Sequence, residues 1–258
     1  HVPAGPLLRR SPRWLRLRLP TGALPSPSHQ PPRTMAAPDF VHLHVHSEYS
    51  LLDGANRIGD LVEACQADEQ RAIALTDHGN MFGAIELHLK CKKGGIKPII
   101  GCEVYVAKHS RVQPHSRRDN RYHHLTLLAR NEEGHDNLIK LATLAYTEGF
   151  HYRPRIDKEL LEQYGGGISC LSGCLGGEIN QLFLAGKHKE AEQVAGELRD
   201  IFGPDHFWLE LQRNGIQEQD DVNEHLIRLS SQTAIPLVAT NDIHYLRAED
   251  CAAQDTLL

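Results

Sequence analysis

Between residues 71 and 245 short apolar runs alternate with longer stretches of helical period. The runs 71–76, 97–105, 122–129, 168–172, 206–212 and 236–240 are bounded by glycine or polar clusters, and their length and side-chain type predict strands. Segments 60–68, 81–93, 132–147, 187–202 and 217–233 read as helices, with a weaker one at 156–164. In the third of these, Leu138, Leu141 and Leu144 are spaced for a single helical face. A last helix begins near residue 248 and the sequence stops inside it. Alternation of strand and helix predicts a parallel sheet, closed or nearly closed into a barrel with helices outside. No run approaches the eighteen apolar residues of a membrane span, so no membrane contact is expected.

A seventh strand is predicted at Phe40-Val41-His42-Leu43-His44-Val45-His46-Ser47. Side chains alternate across a strand, so His42, His44 and His46 would share one face and the aliphatics the other. A buried imidazole carries polar nitrogens that need partners out of water. Neutral imidazole is also the commonest ligand for transition metals, so the segment suggests a metal site at a strand end. The plainer alternative is a solvated edge strand with a polar face.

The same juxtaposition recurs along the chain. Asp53 stands in an Asp-Gly turn just past the histidines, Asp77 and His78 follow 71–76, and Glu103 sits in an apolar frame of Ile, Cys and Val. His123 and His124 open 122–129, of which at most one can face a common site. Cys174 follows 168–172, and Asp242 and His244 follow 236–240, sharing a face if the backbone there is extended. Singly, Asp53 is ordinary turn chemistry and Cys174 an ordinary small hydrophobe. Jointly they mark six strand ends, which a barrel would gather into one bowl. Five histidines, three carboxylates and a thiolate suit two or three divalent ions of the zinc, manganese or iron kind. Clustered ions of this sort are a usual device for hydrolysing phosphate esters. No Ser-His-Asp elbow, Walker A loop or dinucleotide-binding glycine motif supplies a rival chemistry.

Composition adds three points. Seventeen histidines are more than usual, and six cysteines without a CxxC pair suit a reducing compartment. Residues 1–34 hold six Arg, eight of the fourteen Pro and no acid, and read as a disordered extension with Met35 as the natural start. Without those arginines, 22 Lys+Arg face 33 Asp+Glu, a balance near −11 that argues against a broad basic nucleic-acid surface. The segment 109–121, with Arg111, Arg117, Arg118 and Arg121, reads either as a solvated loop or as a lid that touches phosphates.

The stretches FVHLHVHSEYSLLDGA, ALTDHGNMFGAIE, GIKPIIGCEVYVA, HHLTLLARNEEGHDNL, LSGCLGGEI and VATNDIHYL, in that order, resemble the PHP (polymerase and histidinol phosphatase) domain at the N-terminus of bacterial replicative DNA polymerase III alpha subunits. The resemblance implies a distorted (β/α)7 barrel over residues 39–258, cut before the polymerase core; the Arg/Pro-rich leader, bounded at 1–38, has no counterpart in the family. It implies a trinuclear site, its ligands at the C-terminal ends of the strands, on His44, His46, Asp53, His78, Glu103, His124, Cys174, Asp242 and His244. Of these, Asp53, His78 and His244 are the expected catalytic residues; His42 and Asp77 are given supporting roles and His123 faces away. The implied activity is a metal-dependent 3′–5′ exonuclease that proofreads the primer strand. Its partners would be a DNA primer 3′ end, the rest of the alpha subunit and a separate proofreading subunit, in the bacterial cytoplasm. The alternatives are a non-catalytic docking module and a histidinol-phosphatase-like small-molecule phosphatase.

Overall fold

A computed structural model describes residues 40–113, 122–256 and 258. The leader and Arg117, Arg118 and Arg121 lie outside the described residues. In chain order the elements are α1 (Ile58–Ala67), β1 (Ala72–Leu75), α2 (Ala84–Gly94), β2 (Lys97–Ala107), β3 (Tyr122–Ala129), α3 (Glu132–Thr147), β4 (Arg155–Ile156) and α4 (Lys158–Tyr164). They continue with β5 (Ile168–Leu171), α5 (Glu178–Leu184), α6 (His188–Phe202), β6 (Phe207–Leu211), α7 (Gln217–Thr233), β7 (Leu237–Ala239), and a 3-10 turn (Ala248–Asp250) leading into α8 (Cys251–Gln254).

Local chemistry sets several of these boundaries. Asn131 and Asp157 cap α3 and α4 by accepting from the backbone N–H of Gly134 and Leu160, which satisfies donors a helix start leaves free. Gly95, at φ 71°, ends α2 in the left-handed conformation that glycine adopts without penalty. All four residues of β1 are buried, as expected of a strand covered on both faces. One apolar cluster joins Ile58, Leu61, Ile73, Leu75 and Leu87 beneath α1 and α2. A larger one joins Leu127, Leu138, Leu141, Ile168, Phe207 and Leu226, each such side chain worth about 1.5–3 kcal/mol on burial.

The sheet runs β1-β2-β3-β5-β6-β7, with β4 pairing onto β2 off this path. The histidine segment closes it. His42 bridges Ile73 and Val45 bridges Ile243, both in parallel sense, and Thr76 N–H donates to Val45 O at 2.8 Å while His46 N–H donates to Ile243 O at 2.8 Å. With that segment as the seventh stave, the architecture is the expected distorted (β/α)7 barrel.

Four details depart from expectation. The sheet is not all parallel: β3 runs antiparallel to both β2 and β5, because the β2–β3 connection carries no helical pattern to bring the chain back across the sheet. His124 therefore enters the site from the N-terminal end of its own strand, paired with Tyr105 of β2, rather than from a C-terminal end. The histidine segment is a bent seam of isolated bridges rather than a regular strand, and His42 leaves the shared face to sit edge-on against Phe40 at 4.9 Å. Asp242 is not extended; its φ of 52° lies in the left-handed region that Asp tolerates better than most residues.

The lid reading of Arg111 also fails. Its guanidinium is held by Glu148 at 2.9 Å, Asp157 at 3.0 Å and Glu159 at 3.1 Å, which ties the end of β2 to α3 and α4. Beneath it the buried Arg155 donates to Arg111 O at 2.8 Å and to Gly149 O at 3.0 Å.

Candidate metal centre

Glu103 stands at the middle of the bowl, 1 % exposed, with histidines on every side. Its Oε1 lies 2.8 Å from His124 Nδ1 and 3.5 Å from His44 Nε2. Its Oε2 lies 2.6 Å from His78 Nδ1 and 3.5 Å from His46 Nε2. Asp242 Oδ1 faces the same two seam histidines, at 3.4 Å from His44 Nε2 and 3.3 Å from His46 Nε2. At the mouth Asp53 Oδ2 sits 3.1 Å from His78 Nε2 and 3.7 Å from His244 Nε2. Cys174 Sγ closes the group, 3.7 Å from Glu103 Oε1 and 3.8 Å from His124 Nδ1. All nine expected positions thus meet in one connected cluster. His123, His42 and Asp77 stay outside it: His123 turns to the opposite side of β3, towards Lys158 and Glu178.

Whether divalent cations fit this bowl can be judged from its polar atoms. His44 Nε2, His46 Nε2, His78 Nδ1, Asp53 Oδ1, Glu103 Oε2 and Asp242 Oδ1 are all buried without a hydrogen-bond partner, although other polar atoms lie only 2.6–3.5 Å away. Buried polar atoms are ordinarily satisfied. Six orphans aimed into one space are the donor set of a cation site, and three overlapping groups have ligand atoms within 4.8 Å of one another: His46, His78 and His244; His44, His46 and Asp242; and His78, Glu103 and His124. Imidazole nitrogen with carboxylate oxygen suits divalent transition metals.

Without a cation the charges work on one another. Burial opposes a proton on His78, but Glu103 and Asp53 outweigh it and push the ring up to about 10. His46 goes the other way: burial dominates its carboxylate contacts and lowers it to about 4. Burial would raise Glu103, yet the surrounding His124, His78 and His44 hold it well below the usual carboxylate range. Burial drives the Cys174 thiol well up, with Glu103 and Asp242 adding to it, so a thiolate there needs a cation beside it.

Two groups hold the bowl in shape. Asp77 accepts from Ser47 N–H at 2.6 Å, Ser47 Oγ at 2.8 Å and Ser50 Oγ at 2.8 Å, and Ser50 Oγ is 3.0 Å from His46 Nδ1. Glu210 was not anticipated. Buried in β6, it lies 2.7 Å from His44 Nδ1 and also takes Thr240 Oγ1, Gln212 Nε2 at 3.2 Å and Gly173 N–H at 3.1 Å. A carboxylate on Nδ1 fixes the tautomer and directs the Nε2 lone pair into the bowl. An acid between Leu209 and Leu211 was a readable signal, of the same kind that marked Glu103.

No helix among the described residues is long and apolar enough to cross a membrane. In the solved structure of an amidohydrolase from Chromobacterium violaceum the same fold recurs at TM-score 0.50 and 14% identity, over 84% of this chain and 96% of that one. Among curated proteins, the DNA polymerase III alpha subunit of Borreliella burgdorferi is 50% identical over 220 residues, and that of Treponema pallidum 50% over 225. These alignments take in 85% and 87% of this chain but 19% of either relative, so the chain spans about a fifth of their length. The PHP domain family matches residues 42–214, from the histidine seam to just past Glu210, and the chain belongs to that family.

Proposed function

We propose that residues 39–258 are the PHP domain of a bacterial replicative DNA polymerase III alpha subunit, a cytoplasmic 3′–5′ exonuclease that proofreads the primer strand. The observation that carries this reading is the convergence of six buried donor atoms without partners in a chain half identical to such subunits. The nine clustered residues, His44, His46, Asp53, His78, Glu103, His124, Cys174, Asp242 and His244, would hold two or three divalent ions, of which zinc, manganese and iron all suit the ligands. When bound, such ions polarise the phosphoryl oxygen and supply hydroxide near neutral pH.

The chain's own residues divide the remaining work. Glu103, in contact with four imidazoles, sets the spacing of the bowl. Asp53, His78 and His244 stand at its mouth, 13–23 % exposed, where substrate would arrive. His244 Nδ1 donates to Asp242 O at 3.0 Å, leaving the Nε2 lone pair turned into the bowl to hold an ion, while Asp53, with two carboxylate oxygens, can orient a water and take its proton. The remainder of the alpha subunit and a separate proofreading subunit complete the set of proposed partners beside the DNA primer end.

The test is elemental analysis of the purified chain and of His44→Ala, with degradation of a labelled primer measured on the same samples. Two or three ions per chain, lost together with 3′–5′ cleavage in the variant, are expected. Absence of phosphoesterase activity on any DNA or model ester after metal loading overturns the reading.

A further inference from the structure

Beside the bowl lies a cavity of about 340 Å³ whose floor is formed by Asp53, His78 and His124. Aromatic rings continue outward from these ligands. Tyr105 stacks on His78 at 5.8 Å, Tyr122 stacks on His124 at 5.9 Å, and the two tyrosines meet edge to face at 4.8 Å. Further out Tyr146 and Phe150 stack on each other at 6.0 Å, and both are about half exposed, at 44 % and 59 %. Rings of this size are normally buried, and a cluster left open at a cavity marks a binding surface.

Among the described residues, Arg153 is the one lysine or arginine that lines the cavity. Its guanidinium lies over the Tyr105 ring at 5.8 Å and is hydrogen-bonded to Tyr122. The loop that carries it is held in place from below. Gly149 packs so closely on Arg155 O that a Cβ would come within 1.8 Å, and Tyr152 has a φ of 61°, unusual for a bulky residue. The buried Arg155 pins Gly149 O at 3.0 Å. Phe150 and Arg153 are therefore presented by a rigid turn rather than by a loose one.

Aromatic faces bind bases of any sequence, and a guanidinium is suited to a phosphate beside them. A volume at the lower end of the ~300–1,000 Å³ range for ligand sites admits one nucleotide and no duplex. A paired terminal base would have to leave its stack to reach these rings, at a cost that is least for a mismatched or unpaired end. We infer that this cavity receives the terminal nucleotide of a single strand, its base against Tyr146 and Phe150 and its phosphate on Arg153. The inference rests on the phosphodiesterase reading for its purpose, and it adds a preference for unpaired ends.

The probe is a single-stranded oligonucleotide carrying 2-aminopurine at its 3′ end, titrated into the metal-loaded full chain. Stacking quenches the fluorophore. Phe150→Ala and Tyr146→Ala, both at exposed side chains, should weaken binding about 5- to 150-fold and abolish the quench. Arg153→Met should weaken binding by a similar factor, and a blunt duplex should bind far more weakly than the single strand. Equal affinity for duplex and single strand, or wild-type affinity and quenching in all three variants, overturns the inference. Hydrolysis of a base-free diester, methyl 4-nitrophenyl phosphate, separates the two readings. If the wild-type chain quenches the base but cleaves no ester, the nuclease reading fails and the nucleotide site stands. If it cleaves the ester while binding ignores the aromatic variants, the site alone fails.

Discussion

Glu210→Gln tests whether the bowl is set up by a residue that does not enter it. Four neighbours converge on this carboxylate: His44 Nδ1 at 2.7 Å, Thr240 Oγ1, Gln212 Nε2 at 3.2 Å and Gly173 N–H at 3.1 Å. Every one of them donates. Glutamine keeps the size but replaces one acceptor oxygen by an NH2 group, so in either orientation a donor meets a donor. Leaving a buried donor unmatched costs about 1–3 kcal/mol. The consequence for the site is specific. With its oxygen turned to His44, Thr240 and Gln212 the glutamine leaves Gly173 N–H facing an NH2 group, and the proton on His44 Nδ1 is then held by a neutral amide oxygen instead of a carboxylate, so Nε2, 3.4 Å from Asp242 Oδ1, is less firmly held to presenting a lone pair. Loss of such an outer partner typically weakens metal affinity about 10- to 100-fold, or roughly 1.4–2.8 kcal/mol. Metal-stripped wild type and variant would be titrated with Mn²⁺ and with Zn²⁺ against a competing chelating dye near neutral pH, with thermal unfolding followed in parallel. A variant that melts cooperatively yet binds metal within about twofold of wild type would refute the reasoning, since the tautomer of His44 would then not depend on Glu210.

Five further outcomes follow from the structure. In the metal-free chain the pKa of His78 is raised to about 10. A raised histidine stabilises the fold fully below its unfolded value near 6.5 and loses that contribution as pH rises towards 10, so the apo melting temperature should fall across this window while the metal-loaded one holds. Added metal should accordingly release protons into a weakly buffered solution at mildly alkaline pH, as read by an indicator dye; no release would contradict it. Asp77→Asn keeps one oxygen for Ser47 N–H and Ser50 Oγ but puts an NH2 group against Ser47 Oγ and weakens the remaining charge-assisted bonds, and should lower stability by about 1–3 kcal/mol, seen as an earlier urea midpoint at unchanged slope. Gly54→Ala would place a Cβ 1.9 Å from Ser47 O, a backbone atom, and should cost more than about 2 kcal/mol as the turn carrying Asp53 opens. Gly196→Ala in α6, where nothing lies within 4 Å, should instead stabilise by about 0.5–1 kcal/mol in the same melting assay.

The parts of this fold legible in the sequence are those decided by local pattern. The apolar run 97–105 and the helical period of 132–147 report burial within a few residues, so β2 and α3 stand where periodicity puts them. What escaped was decided by contacts distant in sequence. β4, two residues long, is a strand only because β2 extends past Glu103 far enough to pair with Arg155 and Ile156. The reversed direction of β3 is marked in the sequence only by the lack of helical period between 108 and 121. For the site the division differs. A side chain that burial penalises is conspicuous wherever it sits in an apolar frame, and that was enough for Glu103, for the seam histidines and in principle for Glu210. Residues that enter the bowl and residues that brace it satisfy the same local pattern, so the sequence does not separate them. His42 alternates with His44 as a ligand would, and the ring closure that turns it onto Phe40 involves Ile73 and Ile243, some thirty and two hundred residues away. A buried ionisable residue in a strand can thus be found from sequence. Which of its partners is a cation and which a neighbouring donor is fixed only when the barrel closes.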